Sequence, residues 1–267
     1  MFRDIIALID ANSRACADFA ASLASAFGAH LTLAAAVVDR TYSAGFSEAA
    51  VVYAASTLDK ERAAASHLLD ELATEIRKRD LKVEEEAVEG GLGALQERLG
   101  ALLRLFDLTV LPQPDPDVRS DRWLFIETAL FSSGRPLLIV PYIHQTPFRV
   151  DRALVAWDGG VQAARALADA LPLLRRATRI DLVTVGASVG DSSAATRHLD
   201  RHGLAATHRS LSGGTDVANM LLSYAADLGS DLLVMGGYGH RRVRELVFGG
   251  ATRDVLKSMT IPVFMSH

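Results

Sequence analysis

Residues 231–259 read DLLVMGGYGHRRVRELVFGGATRDVLKSM, a composition suited to holding an anion. An apolar run ends at Met235, glycines follow at 236, 237 and 239, and Gly249-Gly250 directly precedes a stretch of helical period. Glycine takes positive φ without a Cβ penalty and lets backbone N–H groups come close to an anion. Thr252 falls in the first turn of the expected helix, where free N–H groups and the helix dipole favour negative charge. His240, Arg241, Arg242, Arg244 and Arg253 add positive charge around the same loop. These types and spacings describe a phosphate cradle. Taken alone, the glycines read better as tight turns, which are common at strand ends, and the arginines as a solvated helical face.

Other reactive residue types form no comparable set. His198 and His202 lie four apart on an expected helix, a metal-ligand spacing, but no carboxylate joins them in a recognised motif, so a solvated face is expected. Cys16 falls in the apolar pattern of the first helix and is expected to be buried packing. SGGTD at 212–216 resembles the pyrophosphatase loop of adenylating enzymes but follows a third strand, where those enzymes place it after the first. It is expected to be a helix entry with Asp216 as the cap. There is no GxSxG elbow, no HExxH helix and no pairing that identifies a base to activate water. A conventional enzyme is therefore not expected, and no catalytic residue is assigned.

The elements that would position the loop recur along the chain. DIIALID (4–10) parallels ALVAWD (153–158), LKVEEEAVEGG (81–91) parallels LAATHRSLSGG (204–214), DLTVL (107–111) parallels DLLVM (231–235), and RPLLIVP (135–141) parallels IPVFMSH (261–267). Four landmarks in the same order mean a duplication. A linker at PYIHQTPFR (141–149) puts the expected boundary near 146, giving domains 1–146 and 147–267. Helical periodicity is expected over 14–27, 57–79, 92–105 and 126–133, then over 161–176, 192–203, 217–228 and 250–259. The intervening Val/Ile/Leu runs read as strands buried on both faces. Each half is thus expected to be a doubly wound α/β domain with a mostly parallel five-stranded sheet, binding ligands at the carboxyl ends of its strands.

The spacing Gly236-x2-Gly239-x9-Gly249 resembles the adenine-nucleotide-binding signature of the universal stress protein family, and the duplicated order resembles its tandem, Rossmann-like members. The resemblance implies an ATP or other adenine-nucleotide ligand, with or without magnesium, and a sensor or regulator of the stress response with at most slow hydrolysis. It implies that Ala156, Trp157 and Asp158 at the first-strand end and Val185 at the second-strand end hold adenosine. Gly236, Gly239, Gly249, Gly250, Ala251 and Thr252 then serve the phosphates, and Met235 before them counts among the cofactor-binding residues. Gly250 stands where the signature has Ser or Thr, which removes one phosphate hydrogen bond and is expected to weaken binding. An indole at Trp157 either stacks on a base or fills its place. The family's habit of pairing final strands implies that Leu137–Val140 and Pro262–Met265 join. Two alternatives stand beside this reading: a tandem scaffold acting through protein contacts without nucleotide, and an adenylating enzyme of the wider superfamily, against which the misplaced SGGTD argues.

The first half departs from the loop. Its equivalent stretch, PQPDPDVRSDRW (112–123), offers prolines without N–H groups and Asp115, Asp117 and Asp121 that repel phosphate. Asp10 and Val37 keep the strand-end positions, which leaves room for an uncharged ligand or a structural role. The longer connection 39–56, with Tyr42, Phe46 and Tyr53, reads either as a lid or as a core-packing helix at Ala49–Ala55.

Charge follows the same division. The chain carries 28 Lys and Arg against 32 Asp and Glu, net −4, but residues 1–146 hold 14 against 21 (−7) and residues 147–267 hold 14 against 11 (+3). No basic surplus supports nucleic-acid binding. No apolar run reaches membrane-helix length. One cysteine and an N-terminus without a basic leader lead to the expectation of a cytoplasmic protein. Its partners are expected to be the nucleotide, an unidentified protein and a homo-oligomer for which no residue speaks.

Overall fold

The structure is a computed structural model of the 267-residue chain, and it describes residues 1–41, 47–114, 121–186, 192–212, 216–238 and 250–267, with the Glu48 side chain left out. Strands and helices alternate as the sequence periods require. The first half runs β1 (Asp4–Leu8), α1 (Arg14–Phe27), β2 (His30–Val38), α2 (Glu48–Arg77), β3 (Val83–Gly90), α3 (Leu92–Leu103), β4 (Leu108–Pro112), α4 (Arg122–Ser132) and β5 (Leu137–Val140). The second runs β6 (Arg152–Ala156), α5 (Val161–Asp169), α6 (Leu171–Leu174), β7 (Arg179–Val185), α7 (Ser192–Arg201), β8 (Ala206–Leu211), α8 (Val217–Leu228), β9 (Leu232–Gly236), α9 (Gly250–Ser258) and β10 (Val263–Ser266). This is the expected doubly wound α/β architecture.

The chain divides into two compact units. One holds Met1–Pro112, Asp121–Arg135 and Gln145–Phe148, with strands in the order β3-β2-β1-β4, all parallel. The other holds Gln113, Pro114, Pro136–His144 and Arg149–His267 among its described parts, with the order β5-β10-β9-β6-β7-β8. Each half of the chain contributes five strands, but β5 packs with the second unit because it pairs antiparallel with β10, Leu138 opposite Phe264. The remaining pairs of that unit are parallel. Central strands are buried along both faces, as β4 is over all five residues, so helices must cover each side.

The repeated DL of the fourth strands has a structural cause. The Asp107 carboxylate accepts the backbone N–H of Arg3 and of Asp4 at 2.7 and 3.2 Å. The Asp231 carboxylate accepts those of Asp151 and Arg152 at 2.8 and 2.9 Å. Each aspartate thereby satisfies donors at the start of its unit's first strand and sets the register of the β1–β4 and β6–β9 pairs.

Helix limits follow capping chemistry. α1 and α8 end at left-handed Gly28 and Gly229, with φ of 59° and 62°. Asp216 caps α8, accepting the Asn219 N–H at 3.0 Å. The helix expected over 161–176 is two pieces, because Pro172 lacks an N–H and its ring displaces the preceding turn. α2 is longer than its periodicity suggested: Ser47 caps it by accepting the Ala50 N–H at 3.2 Å. Its first turns are helical but not core, since Val52 is 62% and Tyr53 74% exposed, and only Leu69, Leu72, Ala73 and Ile76 are buried. Tyr42 and Phe46 lie outside the described residues. Cys16 is buried, and burial pushes its thiol pKa up, which suits inert packing. No described helix is long and apolar enough to cross a membrane.

Candidate functional site

In the second unit β6 lies between β9 and β7, and all three run parallel. The chain turns one way from β6 to β7 and the other way to β9, so a crevice opens at their carboxyl ends. Ala156, Trp157 and Asp158 leave β6 there, Val185 ends β7, and Met235 and Gly236 end β9. The expected adenosine-side residues thus share one edge of the sheet. Gly250, Ala251 and Thr252 form the first turn of α9. Gly239 and Gly249, with His240, Arg241, Arg242 and Arg244, lie outside the described residues, as does the centre of SGGTD at 213–215.

Individual positions serve more than one purpose. Gly236 is required by packing: a Cβ there would lie 2.6 Å from the Ala163 nitrogen and 2.7 Å from the Gln162 carbonyl carbon, where α5 begins. Met235 is buried against its register partner Met265. Thr252 is also buried, and its hydroxyl oxygen accepts the N–H of Tyr238, itself at φ 54°, tying the glycine loop to α9. Trp157 donates its backbone N–H to Val183 at 2.8 Å, and its buried indole Nε1 has no hydrogen-bond partner among the described residues. Asp158 is exposed. Its carboxylate accepts the N–H of Gly160 at 2.7 Å, and among the described residues no cation pairs with it. Gly250 and Ala251 are exposed, and among the described residues no acceptor takes the first N–H groups of α9, which suits an anion.

The first unit repeats the strand-end junction with a different outcome. Ile9 donates to Ala34 at 2.8 Å as Trp157 does to Val183, which puts Asp10 where Asp158 stands. Asp10 is closed by a bidentate pair: Nε and an Nη of Arg122 each donate to it at 2.7 Å. The Arg122 side chain is 3% exposed against 35% for Asp10. Burial raises the Asp10 pKa, but the bonds and charge of Arg122, the Asn12 N–H and Ser13 outweigh it and hold the carboxyl below its ordinary value. The guanidinium comes from the first turn of α4, the helix that corresponds to α9. Sequence reasoning missed Arg122, whose signal was an arginine at a helix start, otherwise disfavoured by the dipole. It also missed Gln113, whose buried amide donates to the carbonyls of Leu256 and Lys257 near the end of α9. Pro112 closes β4, and Asp115 and Asp117 lie outside the described residues.

The rings of His198, on α7, and His202, just beyond its end, stand 4.7 Å apart edge to face, and no group of three or more metal-ligating side chains occurs among the described residues.

Comparisons with known proteins bear on the same elements. Residues 203–267, from the end of α7 to the C-terminus, match the model of the Universal stress protein family. A universal stress protein of Synechocystis sp. is 32% identical over 145 residues, which are 52% of this chain and 49% of that protein. Both matches point to the universal stress protein family, the first over the C-terminal quarter of the chain and the second over about half of it. A universal stress protein of Archaeoglobus fulgidus superposes with a TM-score of 0.70 at 16% identity, covering 98% of this chain and 97% of its own. A functionally unknown protein of Pseudomonas aeruginosa superposes with a TM-score of 0.60 at 15% identity, covering 99% and 92%. At such identities these two likenesses are of fold. The chain spans about half the length of the Synechocystis protein it matches.

Proposed function

We propose that this chain is a universal stress protein, that its second half binds ATP or a related adenine nucleotide at the carboxyl edge of β9, β6 and β7, and that it acts as a stress-response sensor or regulator. The observation that carries the reading is the contrast between two equivalent carboxylates. Asp10 is closed by an internal guanidinium, whereas Asp158 is exposed at the mouth of its crevice. An open carboxylate accepts ribose hydroxyls, and the backbone at Ala156 and Val185 and the Trp157 ring line the place of the base. The first N–H groups of α9, at Gly250 and Ala251, face the phosphates, joined by Gly236 and, from their place in the sequence, Gly239 and Gly249, while Met235 borders the site from β9. Thr252 acts at one remove, by holding the Tyr238 N–H. Magnesium enters with the phosphates, and no residue is assigned to catalysis.

The test is titration of ligand-free protein with ATP, AMP, adenosine and a nucleotide lacking adenine, with and without magnesium. Saturable binding of the adenine ligands alone is expected, and none at millimolar concentration sinks the proposal. Asp158→Ala should weaken adenosine, AMP and ATP alike by about 10- to 100-fold, the worth of a charged hydrogen bond of about 1.5–3 kcal/mol. Gly250→Ser should tighten ATP but not adenosine. Among the described residues a Cβ at 250 meets only the Asp254 carboxylate at 3.6 Å, an ordinary contact. That carboxylate competes for the new hydroxyl, so the gain should be about tenfold or less. An equal change for adenosine would show that residue 250 does not face phosphate.

A second reading, a tandem scaffold that binds no nucleotide, draws on the structural duties already met by Gly236 and Thr252. Failure of the titration would favour it.

A further inference from the structure

Corresponding strands of the two units, β3 and β8, each close one end of a sheet, with a hydrogen-bonded neighbour on one side only, β2 and β7 respectively, among the described residues. A free edge presents a row of backbone donors and acceptors that another strand can use. Among the described residues no further strand covers either edge. Thr207, His208, Arg209 and Ser210 are consecutive and exposed, so both faces of β8 meet solvent. On β3, Glu84, Glu86 and Ala87 are exposed.

The two edges carry opposite charge. β3 holds four carboxylates and no cation. Two of them are matched on one face, Glu85 by Arg77 and Glu89 by Arg62. On the other face Glu84, 76% exposed, has only His30 at 3.6 Å, and Glu86 has no ion-pair partner among the described residues. β8 holds His208 and Arg209 and no carboxylate. The His208 ring is hydrogen-bonded to Thr184, and Arg209 meets no carboxylate among the described residues.

Charged edges ordinarily prevent sheets from adding to one another. Here like edges repel, β3 against β3 and β8 against β8, but an acidic edge and a basic edge attract. Opposite charges directly across a strand pair stabilise it and like charges destabilise it. Beside β3 lies a groove of about 300 Å³ between the strand and α2, lined by Ala65, Ser66, Leu69 and Ala87 and bridged by Arg62 and Glu89. Its small side chains leave room for those of an added strand, which is how a sheet edge gains specificity beyond its backbone bonds.

We propose that β8 of one copy of this chain adds to the β3 edge of a second copy, in a head-to-tail contact selected by charge. The acidic excess of the first half and the basic excess of the second give the approach the same polarity. The contact joins unlike surfaces, so it extends into a chain of copies unless the geometry closes a ring.

The test is sedimentation of the full chain at high concentration, in low and in high salt, with three variants. One reverses β3 (Glu84→Arg with Glu86→Arg), one reverses β8 (His208→Glu with Arg209→Glu), and one carries all four changes. The wild type should form species heavier than the monomer in low salt that dissociate in high salt. Each single-edge reversal should weaken association on the order of a hundredfold, the cost of juxtaposing like charges. The four-change variant should associate again, and so should an equimolar mixture of the two single-edge variants. All these side chains are exposed, and unchanged thermal melts would show that the variants fold. A wild type that stays monomeric in low salt, association indifferent to the reversals, or loss without restoration would each overturn the proposal.

Discussion

Asp10→Ala should lower the stability of the first unit by about 3 kcal/mol, while Asp158→Ala, at the equivalent place in the second, should cost about 1 kcal/mol or less. The two carboxylates end equivalent strands, and the difference lies in what they hold. Asp10 is the counter-charge of a guanidinium that is 3% exposed, and removing one partner of a buried ion pair leaves the other charge desolvated, typically at about 3–5 kcal/mol. The low end applies because Asp10 itself is 35% exposed, so water reaches the gap it leaves. Asp158 gives up one hydrogen bond to Gly160 at the surface, worth about 0.5–1.5 kcal/mol. Urea unfolding of the full chain reads both changes. Equal costs at the two positions would mean that the Arg122 pair adds nothing to the fold.

Acid should erase the difference. Burial alone would raise the Asp10 pKa, yet Arg122 and the neighbouring N–H hold it below the ordinary value near 3.8. A carboxylate depressed in the folded state contributes stability above the unfolded pKa and loses it as pH falls through the folded one. The gap between wild type and Asp10→Ala is therefore full at neutral pH and narrows below about pH 4. A gap that widened in acid would mean the carboxyl is raised, not lowered, by its surroundings.

Gly236→Ala should destabilise the second unit by about 1–3 kcal/mol, and Gly236→Val by more. The added Cβ would fall 2.6 and 2.7 Å from backbone atoms of Ala163 and Gln162, and backbone at the start of a packed helix has no rotamer to change. Either β9 or α5 must shift, and the shift opens the sheet edge where the strand ends converge. Gly250→Ala, in the same glycine-rich segment, should be neutral or slightly stabilising, because its Cβ meets one flexible carboxylate at 3.6 Å and alanine favours the helix. Thermal melts of the two variants side by side decide the matter. If both glycines tolerate alanine equally, the close approach of α5 to β9 is not what requires Gly236.

Much of this was open to reading along the chain. α1 and α8 fall on their expected limits because an apolar stripe ends at glycine, a local signal. The strands were legible from Val, Ile and Leu runs, and the recurrence of DL before the fourth strand exposed the duplication. The first turns of α2 were not legible as exposed helix, since their Ala and Val content reads as core by composition, and only the absence of a packing neighbour distinguishes the two. Neither was the break at Ala170, where helical period continues through a proline that the backbone cannot accommodate.

The candidate site divides in the same way. Asp10 and Asp158 looked alike in sequence, each a carboxylate closing an apolar run, and the glycines at 236 and 250 looked like parts of one loop. Residue types and spacing determined the α/β alternation, the duplication and which strand ends could meet a ligand, because hydrophobic period and glycine conformation are properties of neighbouring residues. Tertiary structure alone decided that Arg122, 112 residues from Asp10, neutralises one carboxylate while the other stays open, and that Gly236 is held by α5 while Gly250 is not. Those distinctions depend on desolvation and on close contact between distant segments, and neither quantity exists until the chain has folded.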